Sequence, residues 1–169
     1  MKQQEMIFKV PWDKPARVVT WVSSVILLVA IALCVGFAIM EPDYAVLYVG
    51  LLVLIVLIPL YFCSQSPRAI LLTDDALVVC KAVGRKAIPF SEIHSIALLN
   101  KYSALRIFAS GGFFGYVGLF WNREFGKHWA LAGSLRQPVC VNLVSGKRYV
   151  LSCSDGKELL QAMKNHAHQ

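Results

Sequence analysis

Hydrophobic positions dominate two long runs near the start of the chain. No Asp, Glu, Lys or Arg falls within residues 18–40 or 44–67, and only residues 41–43 separate the two runs. A helix needs about 20 apolar residues to cross the ~30 Å hydrocarbon core of a bilayer. The pattern therefore predicts two transmembrane helices, 18–40 and 44–63, joined by a tight turn at 41–43.

After residue 67 the hydrophobic pattern becomes strand-like. Short β-branched runs alternate with turn-forming pairs such as Asp74-Asp75 and Gly84-Arg85, which favours a series of strands connected by hairpins. The predicted strands cover residues 70–73, 76–81, 86–90, 95–99, 127–132, 138–144 and 148–152.

The last segment has helical spacing. Asp155 and Glu158 fit the cap of a helix N-terminus, and Leu159, Leu160 and Met163 form an apolar stripe. Short strands followed by one amphipathic helix predict an α+β fold, in which the helix covers the open end of a small barrel or sandwich.

Charge predicts the orientation of the hairpin. The chain has 17 Lys and Arg against 10 Asp and Glu, a net charge of +7. Basic residues flank both apolar runs, whereas the turn between them carries only Glu41 and Asp43. Because Lys and Arg are retained on the cytoplasmic side, we expect both termini there, with residues 1–17 as an N-terminal segment and residues 68–165 as a cytoplasmic domain.

Residues 107–122, called here the glycine–aromatic segment, contain no charge and lie between Arg106 and Arg123. Three interpretations remain open: a bent core strand with its aromatic rings inside the domain, a surface that meets another subunit or the hairpin, and a loop that dips into the bilayer interface. The residues of this candidate interaction surface are Gly111, Gly112, Phe113, Phe114, Gly115, Tyr116, Gly118, Phe120 and Trp121.

Three features of the chain carry a family resemblance. These are the layout of two strand groups and a capping helix, the stretch 106–120, and the ending 146–152 (Gly-Lys-Arg-Tyr-Val-Leu-Ser). In these features the chain resembles bacterial pleckstrin-homology-like (PH-like) membrane proteins. The resemblance implies a PH-like domain after a transmembrane hairpin, in a bacterial inner membrane, with a tendency to self-assemble. Eukaryotic members of the fold hold inositol phosphates with basic residues of the first hairpin. Here that turn is Asp74-Asp75, which disfavours phosphoinositide specificity.

Cations cluster at the following turn instead. Lys81, Arg85 and Lys86 are the first candidates for binding anionic lipid headgroups, and Arg106 and Arg123 are the next. Nucleic acid is not expected as a partner, because the aromatic residues are not interleaved with the basic ones as a stacking platform requires.

Catalytic motifs do not stand out in the sequence. His94 and His128 are isolated, and no group of Cys and His has metal-ligand spacing, so we expect no enzyme activity, no metal or other cofactor and no small-molecule substrate. The predicted function is a membrane-anchored interaction or scaffold module that binds itself or a protein partner. The alternatives are recognition of anionic lipid headgroups and a component of an oligomeric pore or transporter, although the spans lack the ionisable groups typical of transport paths.

Overall fold

The computed structural model describes residues 6–100 and 102–166. Short 3-10 turns at Pro42–Tyr44 and Phe90–Glu92 join α1 to α2 and β4 to β5. The helices and strands, in chain order, are β1 (Met6–Lys9), α1 (Lys14–Met40), α2 (Ala45–Gln65), β2 (Pro67–Leu72), β3 (Ala76–Lys81), β4 (Arg85–Pro89), β5 (Ile93–Leu98), β6 (Leu105–Ala109), β7 (Tyr116–Asn122), β8 (Gly126–Ala132), β9 (Val139–Leu143), β10 (Arg148–Leu151) and α3 (Gly156–His166).

Helices α1 and α2 pack side by side as a hairpin. α1 has 27 residues and α2 with its preceding turn has 24, and their most apolar stretches have mean hydropathies of 2.8 and 2.7. Of these stretches only 6% and 0% are buried within the protein. Both helices are therefore long and apolar enough to cross a membrane.

The helix α1 begins earlier than the predicted span, at Lys14. The side chain of Asp13 accepts the backbone N–H of Ala16 at 2.9 Å and so caps the helix. This cap places the first turn of α1 beside the folded domain, ahead of the charge-free run.

Strands β1 to β4 form an antiparallel sheet in the order β1-β2-β3-β4. The pattern of the sequence predicts β2, β3 and β4 but no strand before the hairpin. The structure places β1 there, paired with β2 so that Phe8 lies opposite Ile70. Phe8 and Val10 are buried in the core, so the first sheet is assembled from chain on both sides of the helical hairpin.

The other strands form a second sheet in the order β5-β9-β10-β8-β7-β6. Its pairs are antiparallel except for β10 and β8, which run parallel. The two sheets do not close into one barrel. Of the two forms that the sequence analysis leaves open, the domain is therefore a sandwich.

The main core lies between the two sheets and under α3. Asp155 caps α3 by accepting the backbone N–H groups of Lys157 and Glu158 at 3.0 and 2.9 Å, and the predicted apolar stripe places Leu159 and Met163 in the core. The fully buried aliphatic side chains from the sheets include Ile70, Leu72, Leu77, Val79, Val139, Val141 and Leu151.

A smaller apolar cluster, called here the outer cluster, covers the opposite face of the second sheet. Phe120, Ala130, Cys140 and Val150 are buried in it. Partly buried side chains that pack against it are Leu99, Tyr102, Ala104, Ala109, Tyr116 and Phe125. The second sheet therefore has apolar faces on both sides, which explains the near-continuous apolar strands in this half of the chain.

Candidate functional site

The glycine–aromatic segment forms a β-hairpin, which the sequence analysis does not predict. Together with β6, the strand β7 frames a tip at residues 110–115, where Gly112 and Gly115 form an isolated bridge. Inside the tip, the single hydroxyl proton of Ser110 is shared between the carbonyl oxygens of Gly115, at 2.6 Å, and Phe113. Positive φ angles of 111° and 101° at Gly112 and Gly115 let the chain turn this tightly.

The tip contacts the first turns of α1. The hydroxyl of Thr20 accepts the backbone N–H of Phe114 at 3.0 Å. Its single proton is within hydrogen-bonding distance of the carbonyl oxygens of Ala16, at 2.8 Å, and Gly112, at 3.0 Å. A Cβ atom at Gly112 would lie 3.5 Å from the Cα of Ala16. This is an ordinary van der Waals distance, so the positive φ of Gly112, and not a lack of space, favours glycine here. Of the three sequence interpretations, these contacts match a surface that meets the hairpin itself.

Aromatic side chains of the tip extend along the helices. Phe113 and Phe114 line a groove of about 350 Å³ together with residues of both helices, and the ring of Trp12 meets that of Phe114 edge-on at 5.9 Å. The helix residues that line this groove are Ser24, Leu27, Leu28, Ile31, Ile55, Val56, Pro59, Leu60 and Cys63. The tip therefore lies beside the charge-free part of both helices.

A polar contact next to the tip joins β7 to the cap of α1. The hydroxyl of Tyr116 donates to Asp13 at 3.4 Å. Burial and the nearby Asp13 carboxylate raise the pKa of Tyr116, and the charge of Arg106 partly offsets this. The guanidinium of Arg106 lies over Gly111, where a Cβ atom would overlap it. Arg106 is therefore an exposed residue whose side chain lies beside the tip.

The remaining residues of the segment have different surroundings. Phe120 is buried in the outer cluster, as the core interpretation predicts for the aromatic rings. Gly118 lies where a Cβ atom would come within 2.6 Å of Ala109 on the neighbouring strand. Trp121 is partly exposed and lines a cleft of about 420 Å³ with Arg123 and Leu105. The segment is thus divided among core, tip and surface.

Lys81 and Lys86 come together at a groove between the end of α2 and the sandwich, called here the interfacial groove. Its volume is about 240 Å³. Arg85 and the two other candidate arginines do not line it. The lining residues are Tyr61, Phe62, Gln65, Lys81, Lys86, Phe108, Val117, Gly118, Trp129, Leu131 and Tyr149.

Both lysines of the interfacial groove are held by uncharged partners. The ammonium of Lys81 donates to the side-chain carbonyl of Gln65 at 2.7 Å, and that of Lys86 lies 5.9 Å from the ring centroid of Tyr149. None of the described residues that line the groove is acidic. The groove therefore combines an aromatic wall with two positive charges.

The pattern of the sequence does not predict the aromatic wall, which consists of Phe108, Trp129 and Tyr149. Trp129 and Tyr149 lie directly opposite each other on the parallel strands β8 and β10, a pairing that sequence spacing does not reveal. The sequence does predict the side of the strand that Trp129 takes relative to His128. The two residues are adjacent in a predicted strand, so their side chains lie on opposite faces of the sheet. Only the structure shows that His128 is buried and that Trp129 lines the groove.

One of the two edges of the second sheet, the one formed by β6, is apolar. β6 ends the sheet and pairs only with β7. Its side chains Leu105, Ile107 and Phe108 are 67%, 50% and 67% exposed. Single exposed apolar residues are ordinary on protein surfaces, whereas a contiguous group on an open edge indicates a contact surface.

The buried His128 and the partly buried Tyr102 form a polar pair in the outer cluster. His128 is 1% exposed, and its Nδ1 lies 2.9 Å from the carbonyl oxygen of Gly126. Since a carbonyl only accepts, Nδ1 carries the proton and Nε2 accepts from the Tyr102 hydroxyl at 2.5 Å. Burial lowers the pKa of His128 and raises that of Tyr102. Such a closed pair stabilises the fold and presents no reactive group.

Comparison with known families gives one match. A family model described as a bacterial PH domain matches residues 68–167. The comparisons with curated proteins and with solved structures give no match. The matched region covers more than half of the chain and coincides with β2 to α3, the part that forms the sandwich and its capping helix. The chain therefore belongs to the bacterial PH domain family.

Proposed function

We propose that this protein is a membrane-anchored interaction module, held by its helical hairpin at the cytoplasmic face of a bacterial inner membrane. Two long apolar helices support the anchoring. The pairing of β1 with β2 supports one common side for the chain before and after the hairpin. The Lys and Arg residues flanking the helices favour the cytoplasm as that side.

The exposed apolar edge formed by β6 is the observation that carries the proposal. Natural edge strands are usually protected by charged side chains or by covering elements. On β6 the one charged side chain is Arg106, and its guanidinium folds over Gly111. The exposed apolar side chains Leu105, Ile107 and Phe108 thus lie on this edge together with the exposed Arg106, beside backbone groups that pair with no further strand of the described residues. A protein surface or an extended peptide segment can cover such an edge.

A second copy of the same chain is the first partner we propose. Anchoring confines all copies to one membrane plane with the same orientation, which raises their effective concentration at the domain level. The apolar edge would then be buried between neighbouring sandwiches, with a favourable free energy of about 25 cal/mol per Å² of apolar surface.

The test compares charged substitutions on and off the edge in the full chain. L105E/I107E places two carboxylates on β6, and V83E/V144E places two on turns whose valines are 66% and 70% exposed. We expect L105E/I107E to weaken self-association about tenfold or more, since burying unpaired charge is costly. Counting subunits by single-molecule photobleaching in lipid nanodiscs measures this.

Two results would contradict the proposal. One is a wild-type chain that stays monomeric in lipid at every density and binds no partner. The other is an equal loss of association in both double variants, because V83E/V144E adds the same charge away from β6.

A further inference from the structure

The interfacial groove begins at the last turn of α2. Tyr61, Phe62 and Gln65 of this turn form one wall, at the end of the apolar stretch of the helix. In the proposed anchoring this turn lies at the headgroup level of the bilayer, where Tyr side chains are enriched. The groove is thus continuous with the membrane surface and can be entered from the side.

The opposite wall belongs to the sandwich. Trp129, Tyr149 and Phe108 present aromatic surface, and Trp129 remains 45% exposed. Clefts that enclose a whole small molecule are typically about 300–1,000 Å³. With about 240 Å³, this groove fits one end of a larger amphipathic molecule whose remainder stays in the bilayer.

The charges in the groove favour an anion. Among the described residues, the ammonium groups of Lys81 and Lys86 have no carboxylate partner; that of Lys81 contacts Gln65 and that of Lys86 contacts the ring of Tyr149. An ammonium next to an apolar wall is suited to a phosphate whose attached chain is apolar. A zwitterionic lipid has no net charge, so its electrostatic attraction to the two lysines is weaker than that of an anionic lipid.

We propose that the interfacial groove binds one anionic phospholipid from the adjoining leaflet. Its phosphate lies between the ammonium groups of Lys81 and Lys86, and the first part of its chains lies against Phe62 and Trp129. This inference rests on the proposed membrane anchoring but not on contact through β6. The site is separate from the first hairpin turn, where Asp74 and Asp75 would repel a phosphate.

The test uses quenching of tryptophan fluorescence in the full chain, reconstituted in phosphatidylcholine nanodiscs. A low, equal mole fraction of brominated phosphatidylglycerol or brominated phosphatidylcholine is added. Trp129 is isolated as the difference between the wild type and W129F, and Trp21 on α1 as the difference between the wild type and W21F. We expect brominated phosphatidylglycerol to quench Trp129 more strongly than brominated phosphatidylcholine, and both lipids to quench Trp21 equally.

Removal of two charges inside or outside the groove tests the role of the lysines. K81Q/K86Q should weaken the preference for phosphatidylglycerol about thirtyfold, since each cation near an anionic lipid surface contributes about 1 kcal/mol. R85Q/K157Q removes the same charge from exposed positions that do not line the groove, and should keep the preference.

Several outcomes would overturn the proposal. Equal quenching of Trp129 by both brominated lipids would show that Trp129 is only close to the membrane. An equal loss of the preference for phosphatidylglycerol in both double variants would show a general attraction between the basic domain and anionic lipid, without a defined site. Quenching that changes with the number of copies per nanodisc, and not with lipid charge, would assign the groove to a second copy. Absence of Trp21 quenching by either lipid would overturn the membrane anchoring itself, which distinguishes the two failures.

Discussion

His128 shows how a single buried side chain can make the stability of the domain depend on pH. Its imidazole is enclosed by the rings of Tyr102, Phe120 and Phe125, and the nearby charge of Arg148 adds to burial in lowering its pKa. In the unfolded chain a histidine has a pKa of about 6.5. Between that value and the lower folded pKa, the unfolded state binds more protons, so the free energy of unfolding decreases as the pH falls.

We therefore predict that acidification from neutral pH to below the unfolded pKa destabilises the wild type through His128. His128→Asn removes this titration, so its melting temperature should depend less on pH over this interval, even if the variant is less stable at every pH. His94→Asn removes an exposed imidazole and should follow the wild type. Thermal melts of the full chain in detergent over a pH series measure the difference. An unchanged pH dependence in His128→Asn would contradict the prediction.

The residues of the interfacial groove can be predicted to meet only where they are close in the sequence. Lys81 and Lys86 flank one tight turn, so their proximity follows from the predicted hairpin of β3 and β4. Trp129 and Tyr149 meet through a parallel pair of strands, β8 and β10, that are separated in the chain by β9, and Tyr61 comes from a helix. No local pattern brings such distant residues together.

At the scale of elements, the contact between the tip and α1 couples the sandwich to the hairpin. The hydroxyl of Thr20 is the centre of this contact. It accepts from Phe114, lies within hydrogen-bonding distance of Gly112, and lies 2.8 Å from the carbonyl oxygen of Ala16. Because the side chain is buried, water cannot replace these hydrogen bonds.

Replacing this hydroxyl should loosen the tip. Thr20→Val keeps the shape of the side chain but leaves the N–H of Phe114 without its acceptor, which costs about 1–3 kcal/mol when the group is buried. We expect faster hydrogen exchange in residues 110–116 of this variant, measured by mass spectrometry in nanodiscs. Thr20→Ser retains the hydroxyl and should exchange like the wild type. Equal exchange in Thr20→Val and the wild type would rule out this role.

The hairpin of β6 and β7 escaped prediction for a physical reason. Two-residue turns of the Asn-Gly type signal a hairpin in sequence, whereas this tip spans residues 110–115 and includes Phe114 at a φ of 57°. A non-glycine residue rarely adopts that conformation unless other contacts fix it. Here the contacts come from α1, so the conformation of the tip depends on a distant element.

At the scale of the whole molecule, β1 links the two ends of the hairpin. The strand was missed because Met6–Lys9 has only four residues, too short to show a pattern of alternation. Two backbone hydrogen bonds after β1 add to this pairing. The N–H of Val10 donates to the carbonyl oxygen of Arg68 at 3.0 Å, and the N–H of Asp13 donates to that of Gly133 at 3.1 Å. Deletions before α1 would therefore damage the sandwich itself.

A matched pair of substitutions tests this role of β1. Phe8 is 5% exposed and the adjacent Ile7 is 64% exposed. Phe8→Ala should lower the free energy of unfolding by about 3–5 kcal/mol, as large-to-small changes in a core do, whereas Ile7→Ala should change it by less than about 0.5 kcal/mol. Denaturant unfolding of the full chain in detergent measures both. Similar small effects would mean that β1 is not part of the folded core.

The position of β1 also has a consequence for biogenesis. The ribosome makes β1 before its partner β2, which emerges only after both apolar helices. In the proposed arrangement, a chain in which only one of the two helices crosses the bilayer would hold β1 and β2 on opposite sides. β2 would then keep a bare edge and the sandwich would stay incomplete. Completion of the domain thus acts as a check on correct insertion, and wrongly inserted copies would be left open to proteolysis.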